Sequence, residues 1–139
     1  MTTTTAARPA SIPDVVFPLF LGVNLLVYLA YGVAFLLAPQ KLAAELDITI
    51  GSMNGLADFR AMYGGLSMAC AVFFALAIKD VSMRRSALLL AVLGAGGLMI
   101  GRLVTMVFDG MPGPVIFVML ATEVFAVVGG LFLLKQDAK

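Results

Sequence analysis

Residues 86–134 read SALLLAVLGAGGLMIGRLVTMVFDGMPGPVIFVMLATEVFAVVGGLFLL. Two apolar runs, Ser86–Phe108 and Val115–Leu134, flank the stretch Asp109-Gly110-Met111-Pro112-Gly113-Pro114. Glycine and two prolines cannot continue a helix, so the chain turns there. About 20 apolar residues in helical form cross a hydrocarbon core of about 30 Å, and each run meets that length. Each run also carries a charge, Arg102 in the first and Glu123 in the second. An unpaired charge near mid-membrane costs about 2.5–3.5 kcal/mol on the insertion scale, so each needs a partner. The tight turn makes the two runs antiparallel neighbours. Arg102 lies about two turns from that end and Glu123 about two to three. The expectation is an Arg102–Glu123 ion pair.

Two more runs of the same kind precede these. Pro18–Ala38 ends at Pro39, a residue placed to stop one helix or open another. Leu56–Ile78 follows Asn54-Gly55, a cap-and-turn signal. The chain is 62% hydrophobic and 12% charged, with a mean hydropathy of +1.07. A chain of this size has too little interior to hide that much apolar surface from water. Lipid must be its solvent, and only helices satisfy the backbone in short consecutive spans. The reading is an all-α integral membrane protein: a flexible tail over residues 1–15, then a four-transmembrane-helix bundle over 16–136. The tail is rich in Thr, Ala and Pro and lacks the pattern of a secretory signal, so the first span is expected to stay in the mature protein.

Composition also excludes. With a net charge of +1 there is no electrostatic footprint for nucleic acid. The absence of histidine removes His-ligated metals, His-ligated haem and His-based proton relays. The single cysteine, Cys70, forms no intrachain disulfide or thiolate cluster. No metal and no cofactor is expected.

Lys and Arg set the orientation. One side receives Arg8, Lys79, Arg84, Arg85, Lys135 and Lys139; the other receives Lys41 and, at a helix start, Arg60. The positive-inside rule puts both termini and the Lys79–Arg85 loop in the cytoplasm. The outer segment Gln40–Gly55, with Leu42, Leu46, Ile48, Ile50 and Met53 among Lys41, Glu45 and Asp47, reads either as a short helix or lid on the membrane surface or as a partly buried loop.

Projection at 100° per residue places the polar groups. On the third span Ala87, Ala91, Gly94, Gly101, Arg102, Thr105 and Asp109 share a face, and small residues there let helices approach closely. On the fourth, Glu123 shares a face with Ile116, Ala126, Val127 and Gly130. On the first, Phe17, Phe20, Asn24, Tyr28, Tyr31 and Phe35 form a stripe that either packs or lines a pocket. On the second, Asp58 and Arg60 fall on nearly opposite faces. Asp58 suits a helix N-terminus and Arg60 a lipid phosphate, and either one can also rim a polar site. All these charges cluster in the outer half. The pattern suggests an outward-facing site of Arg102, Glu123, Asp109, Asp58, Arg60, Tyr28, Tyr31 and Asn24, or a plain structural clamp made by the Arg102–Glu123 pair alone.

The stretch Leu37-Ala38-Pro39 through Asn54-Gly55, Asp58-Phe59-Arg60 and Tyr63-Gly64-Gly65, with Gly101-Arg102, Asp109-Gly110 and Glu123, resembles a bacterial four-helix membrane family catalogued as domain of unknown function 4345. The resemblance implies a four-span inner-membrane protein in which these polar positions are the signature. It implies no activity. A broader similarity to modules such as the DoxX-like group rests on architecture alone.

Three functions remain open. The first is binding or transport of a small lipophilic molecule, with Arg102 holding an anionic or carbonyl group and Glu123 as counter-ion or proton carrier. Such a transporter would need a homodimer. The second is an accessory subunit whose Gly94, Gly97 and Gly101 stripe docks a membrane-protein partner. The third is an isomerase-type enzyme using Glu123, Asp109 and Asp58 as acid and base, although no nucleophile–base pair is visible. In each case the bilayer is the first partner.

Overall fold

The computed structural model describes residues 13–137. The tail expected at residues 1–15 lies outside them as far as residue 12. Helix α1 spans Val16–Leu37, α2 Pro39–Ala44, α3 Met53–Phe59, α4 Leu66–Lys79, α5 Arg84–Phe108 and α6 Pro114–Asp137. A π-helical turn, Arg60–Gly65, fuses α3 to α4. A 3-10 turn, Val81–Met83, leads into α5. Among the described residues four rods, α1, α3–α4, α5 and α6, are long and apolar enough to cross a membrane. The protein is a multi-pass helical membrane bundle.

The rods form two intimate pairs, α1 with α4 and α5 with α6, and the two pairs touch more sparingly. Glycine makes the first pair close. A Cβ on Gly32 would lie 2.7 Å from Met68 Cγ and Sδ, and one on Gly64 would lie 2.8 Å from Leu36 Cγ and Cδ2. Each helix therefore offers a glycine notch to the other's large side chain. In a bilayer such close van der Waals approach replaces the hydrophobic drive between helices. The π turn contains Gly64, and its extra residue sets the phase at which the notch meets α1.

The main core sits at one end. Phe17, Phe20 and Leu21 of α1 meet Phe74 and Ala77 of α4, Ala87, Leu88 and Ala91 of α5, and Leu133 of α6. All four rods converge there, beside the basic Lys79–Arg85 connection. Gly129 and Gly130 hold α6 in the gap: a Cβ on the first would lie 2.6 Å from Phe20 Cε2, and on the second 2.6 Å from Val92 Cγ2. Towards the other end the packing thins. The last buried residue of α5 is Ala95, and the first buried residue of α6 is Glu123. Above those positions the α5–α6 pair parts from the α1–α4 pair.

This divergence corrects the helix projections. Ala87 and Ala91 are buried, but Gly101, Thr105 and Asp109, assigned to the same inward face, are exposed. A projection assumes enclosure along the whole rod, whereas α5 has no buried residue beyond Ala95. On α6, Ala126 and Gly130 are buried, with Ile116 and Val127 only half-buried.

The far end has its own small core, Phe35, Ala43 and Phe59, flanked by Tyr31, Leu42, Leu46 and Ile50. The Gln40–Gly55 segment is thus a short helix plus a packed return, with Pro39 opening α2. α2 ends in a Schellman turn: Ile48 N–H donates to Ala43 O at 2.8 Å and Asp47 N–H to Ala44 O at 3.0 Å. Asp47 sits in the left-handed region there, at φ 57°. The second rod begins at Met53, earlier than the sequence suggests. Ser52 is its cap, its Oγ accepting from Gly55 N–H at 3.1 Å, so Asn54-Gly55 lies inside the first turn and does not cap it.

Gly32→Ala should push α4 from α1 and lose about 1–3 kcal/mol of stability, read as a lower unfolding midpoint in mixed micelles. Gly22→Ala, which meets nothing within 4 Å, should leave the midpoint unchanged. Asp47→Val places a β-branched residue at positive φ and should lose about 1–2 kcal/mol. Asp47→Gly should be neutral or mildly stabilising in the same assay.

Candidate functional site

Arg102 and Glu123 meet where the core stops. Arg102 Nε donates to Glu123 Oε1 at 2.8 Å, the only salt bridge among the described residues. Arg102 lies roughly 9 Å from the end of α5 and Glu123 roughly 14 Å from the start of α6, at 1.5 Å per residue. The length of the arginine side chain spans the difference. Glu123 is enclosed, with its side chain 7% exposed, while Arg102 is 22% exposed. The pair thus has an inner, acidic member and an outer, basic one.

Neither member is fully satisfied. Glu123 Oε2 is buried and has no hydrogen-bond partner. Arg102 engages only its Nε among the described residues, leaving its Nη donors uncommitted. Nearby polar side chains are occupied elsewhere. Thr122 Oγ1 donates to Met119 O at 2.7 Å, on its own helix. Asn24, 4% exposed, turns back along α1 and donates from Nδ2 to Phe20 O at 3.0 Å. One of its two amide hydrogens is thus given to its own backbone.

Two clefts open near the pair. One, of about 330 Å³, is lined by Gly97, Leu98, Gly101, Arg102 and Thr105 of α5 and by Pro112 and Ile116. Gly97 and Gly101 meet nothing within 4 Å, so the absence of side chains there makes the floor of this cleft. The other, of about 240 Å³, lies between α1, α2 and α6 and includes Tyr31, Glu45 and Met119. Met119 stands one helical turn above Glu123. The clefts lie on either side of the first half of α6.

The aromatic stripe of α1 divides. Phe17, Phe20 and Phe35 are buried packing residues. Phe35 meets Phe59 and Tyr63 at ring-centroid distances of 5.7 and 5.3 Å. Tyr28 is half-buried against Phe74 at 5.5 Å, with its hydroxyl in the notch at Gly94. Tyr31, also half-buried, stacks on Phe35 at 6.1 Å and walls the smaller cleft.

The remaining candidates are not brought to the pair. Asp58 and Asp109 are exposed, each without an ion-pair partner among the described residues. Asp58 sits in the second turn of its helix, past the first turn where the dipole favours an acid. Arg60 is exposed and donates from Nε to Leu36 O at 3.2 Å. It caps one of the free carbonyls at the end of α1. That acceptor is a backbone atom on another helix, which no side-chain pattern could reveal. Among the described residues neither Asp58 nor Asp109 bonds to the Arg102–Glu123 pair. No group of three or more His, Cys, Asp or Glu placed to hold a metal occurs among the described residues.

The sequence places Ile116 on the Glu123 face and Pro112 in the turn, but nothing in it joins them and Leu98 to Arg102 in one cleft. No curated protein and no solved structure matches the chain significantly. The family model described as Domain of unknown function (DUF4345) matches residues 16–134. That match takes in every spanning helix, the π turn and both members of the buried ion pair, and the chain belongs to this family.

Proposed function

We propose that the protein binds or carries a small lipophilic molecule whose polar end is received by the Arg102–Glu123 pair. One observation carries this reading: the guanidinium holds Glu123 through Nε alone, and the same side chain lines a cleft with mostly apolar walls. A clamp that only joins two helices needs neither spare donors nor an opening beside them. In a low-dielectric setting those donors bind an acceptor strongly. Arg102 recognises the polar group, Glu123 is its counter-ion and Tyr31 walls the neighbouring cleft.

The basic residues Lys79, Arg84 and Arg85 favour a cytoplasmic location for the end where the core lies. On that orientation both termini are cytoplasmic and the clefts open to the outer side of the inner membrane. One copy of four helices makes a narrow path, so a homodimer is the expected transporting unit.

A second reading, an accessory subunit, draws on the open surface at Gly97 and Gly101, where a partner's helix could approach closely. Function would then reside in assembly.

Native mass spectrometry of the protein released from gentle detergent tests the proposal. Wild type should retain a selected small molecule or lipid, and Arg102→Met/Glu123→Met should lose it. The double variant removes both charges together and should stay within about 1 kcal/mol of wild-type stability. Arg102→Met alone strands Glu123 and should lose about 3–5 kcal/mol. Retention of the same molecule by a folded double variant would end the binding reading. Gly97→Leu that disrupts a larger complex while sparing the fold would establish the accessory role.

A further inference from the structure

We infer that the group recognised at this pair is an uncharged hydroxyl, so that the ligand is a lipophilic alcohol or phenol. Its O–H donates to Glu123 Oε2 and its oxygen accepts from the Arg102 guanidinium. The inference rests on the binding reading above and narrows it to one chemical class.

Charge balance comes first. Arg102 and Glu123 already neutralise each other at 2.8 Å. A bound carboxylate or ammonium would add a net charge inside the membrane, with no further ion pair among the described residues to absorb it. A neutral polar group adds none.

Hydrogen-bonding capacity comes next. Glu123 Oε2 is a buried atom with no partner, and an ionised carboxylate only accepts. It therefore requires a donor, as a buried acceptor left bare is costly. No neighbouring donor reaches it: the Thr122 hydroxyl donates to Met119 O, the Asn24 amide to Phe20 O, and neither the Arg102 Nη groups nor the Tyr28 and Tyr31 hydroxyls donate to it. The Arg102 Nη groups present the complementary need, since they only donate. A ketone, ester or ether answers Arg102 and leaves Oε2 bare. One hydroxyl, with a donor and two lone pairs, answers both. Oε1 and Oε2 share a carbon, so a hydroxyl seated against the guanidinium is a side-chain rotation away from Oε2. The walls beyond it, Leu98, Pro112 and Ile116 over the bare floor at Gly97 and Gly101, suit an apolar body.

The test compares dodecanol, its methyl ether and dodecanoate on the full chain in detergent, by native mass spectrometry and thermal shift. Wild type should bind dodecanol about ten-fold more tightly than the ether, the scale of one hydrogen bond within a membrane. Dodecanoate should bind no better than the ether. In Glu123→Gln, where Arg102 has lost its counter-ion, the order should reverse in favour of dodecanoate. Equal binding of alcohol and ether by wild type would overturn the hydroxyl assignment while leaving a binding pocket. A wild-type preference for dodecanoate would overturn the neutral-group assignment. Failure of all three to bind would bring down the inference and the binding reading together. The wild-type series decides the matter even if the variant fails to fold.

Discussion

A carboxylate with 7% of its side chain exposed, held by an arginine on the next helix, governs how the second half of this protein is arranged. Neither charge tolerates hydrocarbon alone, so α5 and α6 must keep this depth and this mutual rotation. The glycine notches at Gly129 and Gly130 bring α6 against α1 and α5 below the pair. Above it, packing gives way to clefts. The ion pair thus ties the two helices together where apolar contact begins to fail.

The bundle is consequently uneven along its length. At the basic end, phenylalanines, leucines and alanines from all four rods interlock. At the other end a separate cluster of Phe35, Ala43 and Phe59 joins only the first half of the chain. Arg60 strengthens that half by donating to Leu36 O. α5 and α6 receive nothing comparable there, and so a groove remains beside Arg102. The cleft beside Arg102 owes its opening to this difference between two helix pairs. Arg102 and Glu123 are each under-used in hydrogen bonding, and both shortages lie at that boundary.

Much of this architecture was legible. Run length and hydropathy specified four spans because the bilayer sets a minimum length for any helix that crosses it. The six-residue turn before Val115 specified that the last two spans are antiparallel neighbours. Matching depth then specified Arg102 and Glu123 as partners. The smaller features were harder. Ser52, not Asn54-Gly55, starts the second rod, since several residues nearby can cap and the backbone geometry selects one. The π turn at Arg60–Gly65 left no pattern in the sequence, because it answers to the closeness of α1 at Gly64.

By itself, then, the sequence determined the solvent, the number of spans and the charge pair. Each of those follows from a local property: length, apolarity, or the penalty of a lone charge in lipid. Only the tertiary structure decided which other polar residues lie beside that pair. Asp58, Asp109 and Arg60 lie towards the same end of the bundle as the Arg102–Glu123 pair yet form no ion pair or hydrogen bond with it. Gly101 and Thr105 share a helical face with Ala87 but face a cleft. Depth along a helix is one-dimensional and can be counted in residues. Whether a given face meets a neighbour, lipid or a groove depends on how far two helix pairs diverge, and that is set by contacts between residues far apart in the chain.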